Sequence, residues 1–262
     1  MTQPMSPVDT AKFAAAKRAA AFVENGMKVG LGTGSTAAWL VKCLAERKDR
    51  EGLRFTGVPT SSSTASLATE LGIPITTLDD AGWLDLTIDG ADEYDSELNL
   101  IKGGGGALLQ EKIVATASDR MIVIADATKK VETLGAFPLP VEVIGFGMNT
   151  TKRLLEEMLE GLDVMGNTGT FRRKGDELFI TDEGNHIIDL KLGRIGNARQ
   201  LSLILNQIPG VVENGLFIDI CDVIITGHGD GKVEMRDINS GENETSRVGT
   251  AGDDNVFLNI AE

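Results

Sequence analysis

Met27-Lys28-Val29-Gly30-Leu31-Gly32-Thr33-Gly34-Ser35-Thr36 is the stretch on which the fold turns. Met27 to Leu31 reads as a short buried strand. It breaks into a glycine-rich loop, and a helix follows to about Arg47. Strand, glycine loop, helix is the arrangement that sets an anion on a helix N-terminus, where backbone N–H groups lack partners. Upstream, Ser6-Pro7-Val8-Asp9 starts a helix, with serine as N-cap and proline at the first position. That helix runs to about Glu24 and stops at Asn25-Gly26. Downstream the alternation continues. Strands are expected at Leu53 to Val58, Ile75 to Thr77, Leu84 to Asp89 and Met121 to Ala125, and helices at Ser63 to Leu71 and Ala107 to Ala117. Such alternation predicts an α/β fold with a Rossmann-like, mostly parallel sheet.

The loop Gly32-x-Gly34-x-x-Ala37 also fits an alanine-ended dinucleotide fingerprint. A nicotinamide site would want an acid at the end of the next strand, to hold ribose hydroxyls. That strand instead ends in Pro59-Thr60-Ser61-Ser62-Ser63-Thr64, whose hydroxyls suit a phosphate or a polyol.

Beyond Leu134 the pattern changes. Gly135 to Pro140 is linker-like. Strands follow at Val141 to Ile144, Phe171 to Arg173, Leu178 to Thr181 and His186 to Leu192, with helices at Thr151 to Leu159 and Ala198 to Asn206, and a strand near Val211. This order predicts a second, smaller ferredoxin-like α+β domain. The expected division is residues 1–133 plus 208–262 for the Rossmann-like catalytic domain. Residues 134–207 form the small domain, to which oligomerisation is assigned. Val223 to Thr226 and Lys232 to Arg236 return to the first sheet, and Asn239 to Asn255 reads as a polar loop or tail.

Composition narrows the function. A net charge of −14 argues against a nucleic-acid partner, which needs a basic face. It also means that an anionic substrate must be held locally, by helix N-termini and a few lysines. Two cysteines in 262 residues make no disulfide framework and suit a reducing cytoplasm. No apolar run is long enough for a membrane span, and the N-terminus lacks a signal peptide's apolar core. His186 and His228 have no ligand spacing. Zinc and acyl-enzyme motifs are absent, so neither metal nor cofactor is expected.

The chemistry concentrates in Asp89 to Lys112, DGADEYDSELNLIKGGGGALLQEK. Asp89, Asp92 and Glu93 cluster just past a buried strand, and ligand sites of α/β sheets lie beyond the carboxyl ends of strands. Lys102 opens the run Gly103 to Gly106. Glu111 lies about five residues into the following helix, roughly 7–8 Å along its axis at the usual rise. Because helical side chains lean toward the N-terminus, it reaches back to the glycine loop and Lys102. Asp95 and Glu97 read as solvated loop residues. Lys129 stands just past another strand end. The sequence thus puts the Gly32 loop, Asp89, Lys102 and Lys129 where one crevice could collect them. A carboxylate base, an ammonium and a phosphate cradle suit proton abstraction next to a carbonyl, through an enediolate.

Several motifs, kept in order and spacing, resemble ribose-5-phosphate isomerase of the A type. They are Gly32 to Thr36, Asp89-Gly90-Ala91-Asp92-Glu93, Lys102-Gly103-Gly104-Gly105, Ile124 to Lys129, Phe137 to Val143 and Ile208 to Val212. The resemblance runs from about Ala11 to Met235. It implies interconversion of ribose 5-phosphate and ribulose 5-phosphate without a metal, in the pentose phosphate pathway, by a homodimer or homotetramer. It implies Glu111 as general base, Asp89 in ring opening, Asp92 on sugar hydroxyls and Lys102 at the carbonyl. Thr33, Gly34, Ser35, Thr36 and Lys129 would line the substrate site, Ser35 and Thr36 near the phosphate. The backbone of Gly90, Ala91, Gly103, Gly104 and Gly105 would line it as well. Gly106 stands where the family pattern is expected to carry alanine, a change expected to loosen the start of the Glu111 helix. The competing reading is a non-catalytic sugar-phosphate-sensing domain. Glu111, Lys102, the acidic charge and the lack of a DNA-binding helix pair count against it.

Overall fold

The computed structural model describes residues 5–249. The first elements in chain order are α1 (Pro7–Ala20), β1 (Lys28–Leu31), α2 (Ser35–Glu51), β2 (Thr56–Pro59), α3 (Ser62–Glu70), α4 (Leu78–Ala81), β3 (Leu86–Gly90), β4 (Glu93–Tyr94), β5 (Leu100–Ile101), α5 (Leu108–Thr116) and β6 (Met121–Asp126). After them come β7 (Leu139–Val143), α6 (Met148–Leu159), β8 (Thr168–Phe171), β9 (Arg173–Lys174), β10 (Glu177–Leu178), β11 (His186–Lys191) and α7 (Ala198–Leu205). The last are β12 (Val211–Asn214), β13 (Leu216–Phe217), β14 (Val223–Gly227), β15 (Lys232–Asp237) and β16 (Asn243–Arg247).

These elements form two compact units. The first comprises residues 5–90, 117–128 and 222–249. Its seven-stranded sheet has the order β16-β15-β14-β6-β3-β1-β2. The run β14-β6-β3-β1-β2 is parallel, and β15 and β16 add antiparallel at one edge. β6 is buried along its whole length, as an inner parallel strand must be. The Ser6 hydroxyl caps α1 by accepting from the Asp9 N–H, and Pro7 occupies the first turn. The alanine face of α1 packs with α2 against the sheet around Leu31, Leu40, Ile88 and Ile124. The helix ends at Ala20, four residues short of the expected Glu24. Ile75 makes only an isolated bridge to Gly57, in place of the expected strand. Asn243–Arg247, expected as loop, is an edge strand. The rest of that expected tail, 250–255, lies outside the described residues.

The second unit comprises residues 91–116 and 129–221. Its main sheet has the order β12-β7-β11-β8, all antiparallel. With α6 between β7 and β8, and α7 between β11 and β12, this is the ferredoxin-like βαββαβ arrangement. The helices cover a core of Val141, Leu155, Ile188, Leu190 and Leu201. β9 and β10 form a separate hairpin, so the segment expected as one strand at Phe171 to Arg173 is divided. A second sheet, of order β13-β5-β4, joins residues 93–101 to 216–217. The observed boundary therefore differs from the expected 134–207. Residues 91–116, with Lys102 and Glu111, group with the small unit because their strands pair with β13. Among the described residues, no helix is long and apolar enough to cross a membrane.

Candidate active site

In the first unit, β1 and β3 run parallel in register, so the Gly32 loop and Asp89 meet at their carboxyl ends. Asp89 is fully buried, and its Oδ1 accepts from the Thr33 N–H at 3.0 Å and the Gly90 N–H at 2.6 Å. Gly32 is required by this approach. A Cβ there would stand 2.1 Å from Asp89 Oδ1. The Thr33 hydroxyl donates to Ser61 Oγ at 2.8 Å and lies 2.8 Å from Thr60 Oγ1. Thr60 and Thr64 bond in turn to the carbonyls of Leu31 and Gly32. Of the hydroxyls read from the sequence as ligand groups, those of Thr60, Ser61 and Thr64 are thus buried and used to hold the loop, whereas Ser62 and Ser63 are exposed.

Gly34 provides no side-chain cap for α2, which leaves the first N–H groups of that helix available to an anion. Ser35 is exposed there. Lys12 Nζ, from α1, donates to Ser35 Oγ at 2.9 Å. An ammonium thus stands at the N-terminus of α2. Sequence reading missed it, because nothing in an alanine-rich helix marks one lysine as belonging to a loop 23 residues later. Asp126, at the end of β6, caps the Thr128 N–H at 3.0 Å. The half-buried Lys129 follows in the chain.

In the second unit, Glu111 lies in the first turn of α5, nearer the glycine loop than expected. Lys102 and Glu111 are 2% and 3% exposed, and Lys102 Nζ stands 3.5 Å from Glu111 Oε1. Asp92 Oδ2 accepts the Gly104 N–H at 2.7 Å. On the other side of the loop, Arg172 donates to the carbonyls of Gly103 at 2.6 Å and Gly104 at 3.1 Å. Arg172 is itself held in a two-pronged pair with Asp189. The loop is gripped through both its N–H and C=O groups, and Arg172 carried no signal in the sequence. Gly106 has φ +84°, and a Cβ there would meet the Phe179 ring at 2.5 Å. The expectation that Gly106 loosens the helix start is therefore corrected, since glycine is what lets the chain turn into α5 beneath that ring. Glu93, the third acid of the expected cluster, accepts from the Gly135 and Phe137 N–H groups and so fixes the linker. Asp95 closes its own loop by accepting from the Glu97 and Asn99 N–H groups.

Lys112 and Glu142 of this unit have displaced proton affinities. Burial pulls the Lys112 ammonium below its ordinary range, against the opposing pull of Glu213. Burial also raises the Glu142 carboxyl, and hydrogen bonds from Asn185 and Thr181 offset this in part. Among the described residues, no group of three or more His, Cys, Asp or Glu side chains is arranged to hold a metal ion.

Each unit thus carries its own set of chemically apt groups. The first has an anion-ready helix start beside a buried aspartate. The second has a water-excluded carboxylate–ammonium pair on a fixed glycine loop. The family model described as ribose 5-phosphate isomerase A (phosphoriboisomerase A) matches residues 56–231. The chain is 67% identical over 262 residues to a ribose-5-phosphate isomerase A of Ruegeria pomeroyi, with both chains fully covered. Among solved structures, the ribose 5-phosphate isomerase A of Methanocaldococcus jannaschii is 39% identical. It has a TM-score of 0.77, with 90% of this chain and 98% of that one covered. A D-ribose-5-phosphate isomerase in complex with phospho-erythronic acid is 38% identical, has a TM-score of 0.77, and covers 90% of this chain and 97% of its own. On the match across the chain, and on the solved relatives of the same architecture, this protein is an isomerase belonging to the ribose 5-phosphate isomerase A family.

Proposed function

We propose that the chain interconverts D-ribose 5-phosphate and D-ribulose 5-phosphate through an enediolate, with Glu111 as general base and without a metal. The observation that carries this reading is the buried Lys102–Glu111 pair. Asp89 assists opening of the furanose, in which O1 loses a proton and the ring oxygen gains one. Glu111 then takes the proton from C2, and the electron pair moves through the new C1–C2 double bond onto O1. The Lys102 ammonium offsets the charge on that oxygen, in a place water does not reach. Protonation of C1 by Glu111, with the O2 proton passing to O1, gives the ketose. Asp92 holds sugar hydroxyls. The phosphate lies on the start of α2, with Thr33, Gly34, Ser35, Thr36, Lys12 and Lys129. The backbone of Gly90, Ala91, Gly103, Gly104 and Gly105 lines the sugar.

We further assign the protein to the cytoplasm as a homodimer or homotetramer. Both cysteines are free and buried, which suits a reducing compartment. Phe146 is 91% exposed, which suits a face covered by another copy. Sedimentation as a monomer would sink the oligomer assignment.

The mechanism is tested by running the reaction in D₂O on EDTA-dialysed protein. Deuterium from solvent at C1 of the ketose is the expected result. Because one shielded carboxyl carries the proton, part of the C2 hydrogen is retained in each turnover; no label in either sugar after many reversible turnovers would point to hydride transfer and refute the enediolate. Activity lost to EDTA and restored by a divalent cation would refute metal independence.

A further inference from the structure

One buried ring in the second unit has a role not yet accounted for. Phe217 is fully buried on β13, opposite Leu100 of β5. The strand is tied to Lys102 directly, because the Lys102 N–H donates to the Gly215 carbonyl at 2.9 Å. The Phe217 ring centroid lies 5.3 Å from Lys102 Nζ and 4.9 Å from Lys112 Nζ. Each ammonium also has its own carboxylate. Lys102 has Glu111, and Lys112 donates to Glu213 Oε1 at 2.9 Å and to the Asn214 carbonyl at 2.6 Å. Glu111, Lys102, Phe217, Lys112 and Glu213 thus make two ion pairs sharing one aromatic ring.

The arrangement answers a physical need. Lysine is a compact charge on a flexible four-carbon stem, and its ammonium adopts whatever position its surroundings favour. Out of water that charge must be met on more than one side. The face of a phenyl ring is electron-rich and attracts a cation, whereas an aliphatic side chain of similar volume only fills space. Lys112 is anchored by Glu213 and Asn214, next in sequence to Glu111. The ring therefore contacts both a fixed ammonium and the one that faces the base.

We propose that Phe217 is a positioning residue for Lys102, its ring holding the ammonium in place against Glu111. The inference rests on the roles assigned to Lys102 and Glu111 above, and it acts on turnover, not on affinity for the sugar phosphate.

The test replaces Phe217 in the full-length chain by phenylalanine carrying one, two and three ring fluorines. Each fluorine withdraws charge from the ring face with little change of shape. The expected result is a stepwise fall in kcat reaching about 2- to 30-fold, the span that a cation–π contact supplies, with KM unchanged. Phe217→Leu is expected at the low end of the same series. A flat series in a folded protein, or a fall in kcat/KM that resides in KM, would overturn the proposal. Lys102→Met separates the two levels. If that variant is crippled while the fluorine series is flat, only the role of Phe217 fails. If it turns over like the wild type, the assignment of Lys102 itself fails, and the Phe217 proposal with it.

Discussion

Replacing Glu111 by glutamine keeps the shape of the side chain and removes its charge and its basicity. Two separate losses are expected. The first is chemical. A positioned base contributes about 10²- to 10⁴-fold, and kcat should fall by that order while substrate still binds. The second is structural and follows from burial. Lys102 is 2% exposed with its ammonium 3.5 Å from Glu111, so the variant removes a carboxylate that meets a buried charge. Breaking a buried pair from one side costs about 3–5 kcal/mol. At about 2–4 °C per kcal/mol for chains of this size, the melting temperature should drop by about 6–20 °C. The double variant Glu111→Gln/Lys102→Met removes the buried ammonium too, so it should recover part of the stability and none of the activity. Carbonyl absorbance of the ketose follows turnover, and calorimetry follows stability. Wild-type turnover in Glu111→Gln would remove the residue from its role. An unchanged melt, with no recovery in the double variant, would refute the buried ion pair.

Other perturbations probe the surroundings of that pair. Arg172→Ala removes the donor to the Gly103 and Gly104 carbonyls. Charge-assisted bonds of this kind are worth about 1.5–3 kcal/mol, so turnover should fall by about tenfold or more in steady-state kinetics. Arg172→Lys should be intermediate, because an ammonium cannot serve both the two-pronged Asp189 pair and the loop. Gly106→Ala should destabilise by about 1–3 kcal/mol through its positive φ and the Phe179 ring, and Phe179→Ala should relieve part of that loss in thermal melts. Glu142→Gln tests the raised carboxyl. A folded acid that keeps a proton the unfolded chain has lost contributes stability that is full below the unfolded pKa and declines as pH rises through the folded one. The melting temperature of the variant, relative to wild type, should therefore increase as pH rises above the ordinary glutamate range; a constant difference would refute the titration. Lys12→Ala and Lys129→Ala should raise KM for the sugar phosphate with little change in kcat.

The parallel sheet was legible because its inner strands are unbroken apolar runs. Met121 to Ala125 could be little else between a helix and a polar turn. The ferredoxin-like unit was legible from element order, even though Phe171 to Arg173 concealed the start of a hairpin. The β13-β5-β4 sheet was not legible. Two-residue strands carry no alternation, and Leu100-Ile101 pairs with Leu216-Phe217 across more than a hundred residues. That omission moved the expected domain boundary away from Gly90. Asn243–Arg247 escaped notice because an edge strand that is mostly exposed has no buried face to mark it. At the site, side chains at strand ends and helix starts were visible, as with Asp89 and Glu111. Groups that act through tertiary approach were not, as with Lys12 at Ser35 and Arg172 at the glycine loop. The hydroxyls of Thr60, Ser61 and Thr64 show the converse, in which residue type suggested a ligand and packing used them for the loop.

The chain leaves the first unit after Gly90, returns at Ala117, leaves again after Thr128 and returns at Asp222. This threading fixes an order of assembly during synthesis. The second unit is complete once residue 221 has left the ribosome. The first is not, because β14 has still to pair with β6. Until then the Met121–Asp126 strand offers an apolar open edge to any neighbouring chain. Nascent chains stalled with residue 221 just outside the exit tunnel should be protease-resistant across 129–221 and cleavable around β6. On a crowded polysome, the moment of greatest risk comes late, when more than four-fifths of the chain is already outside the ribosome.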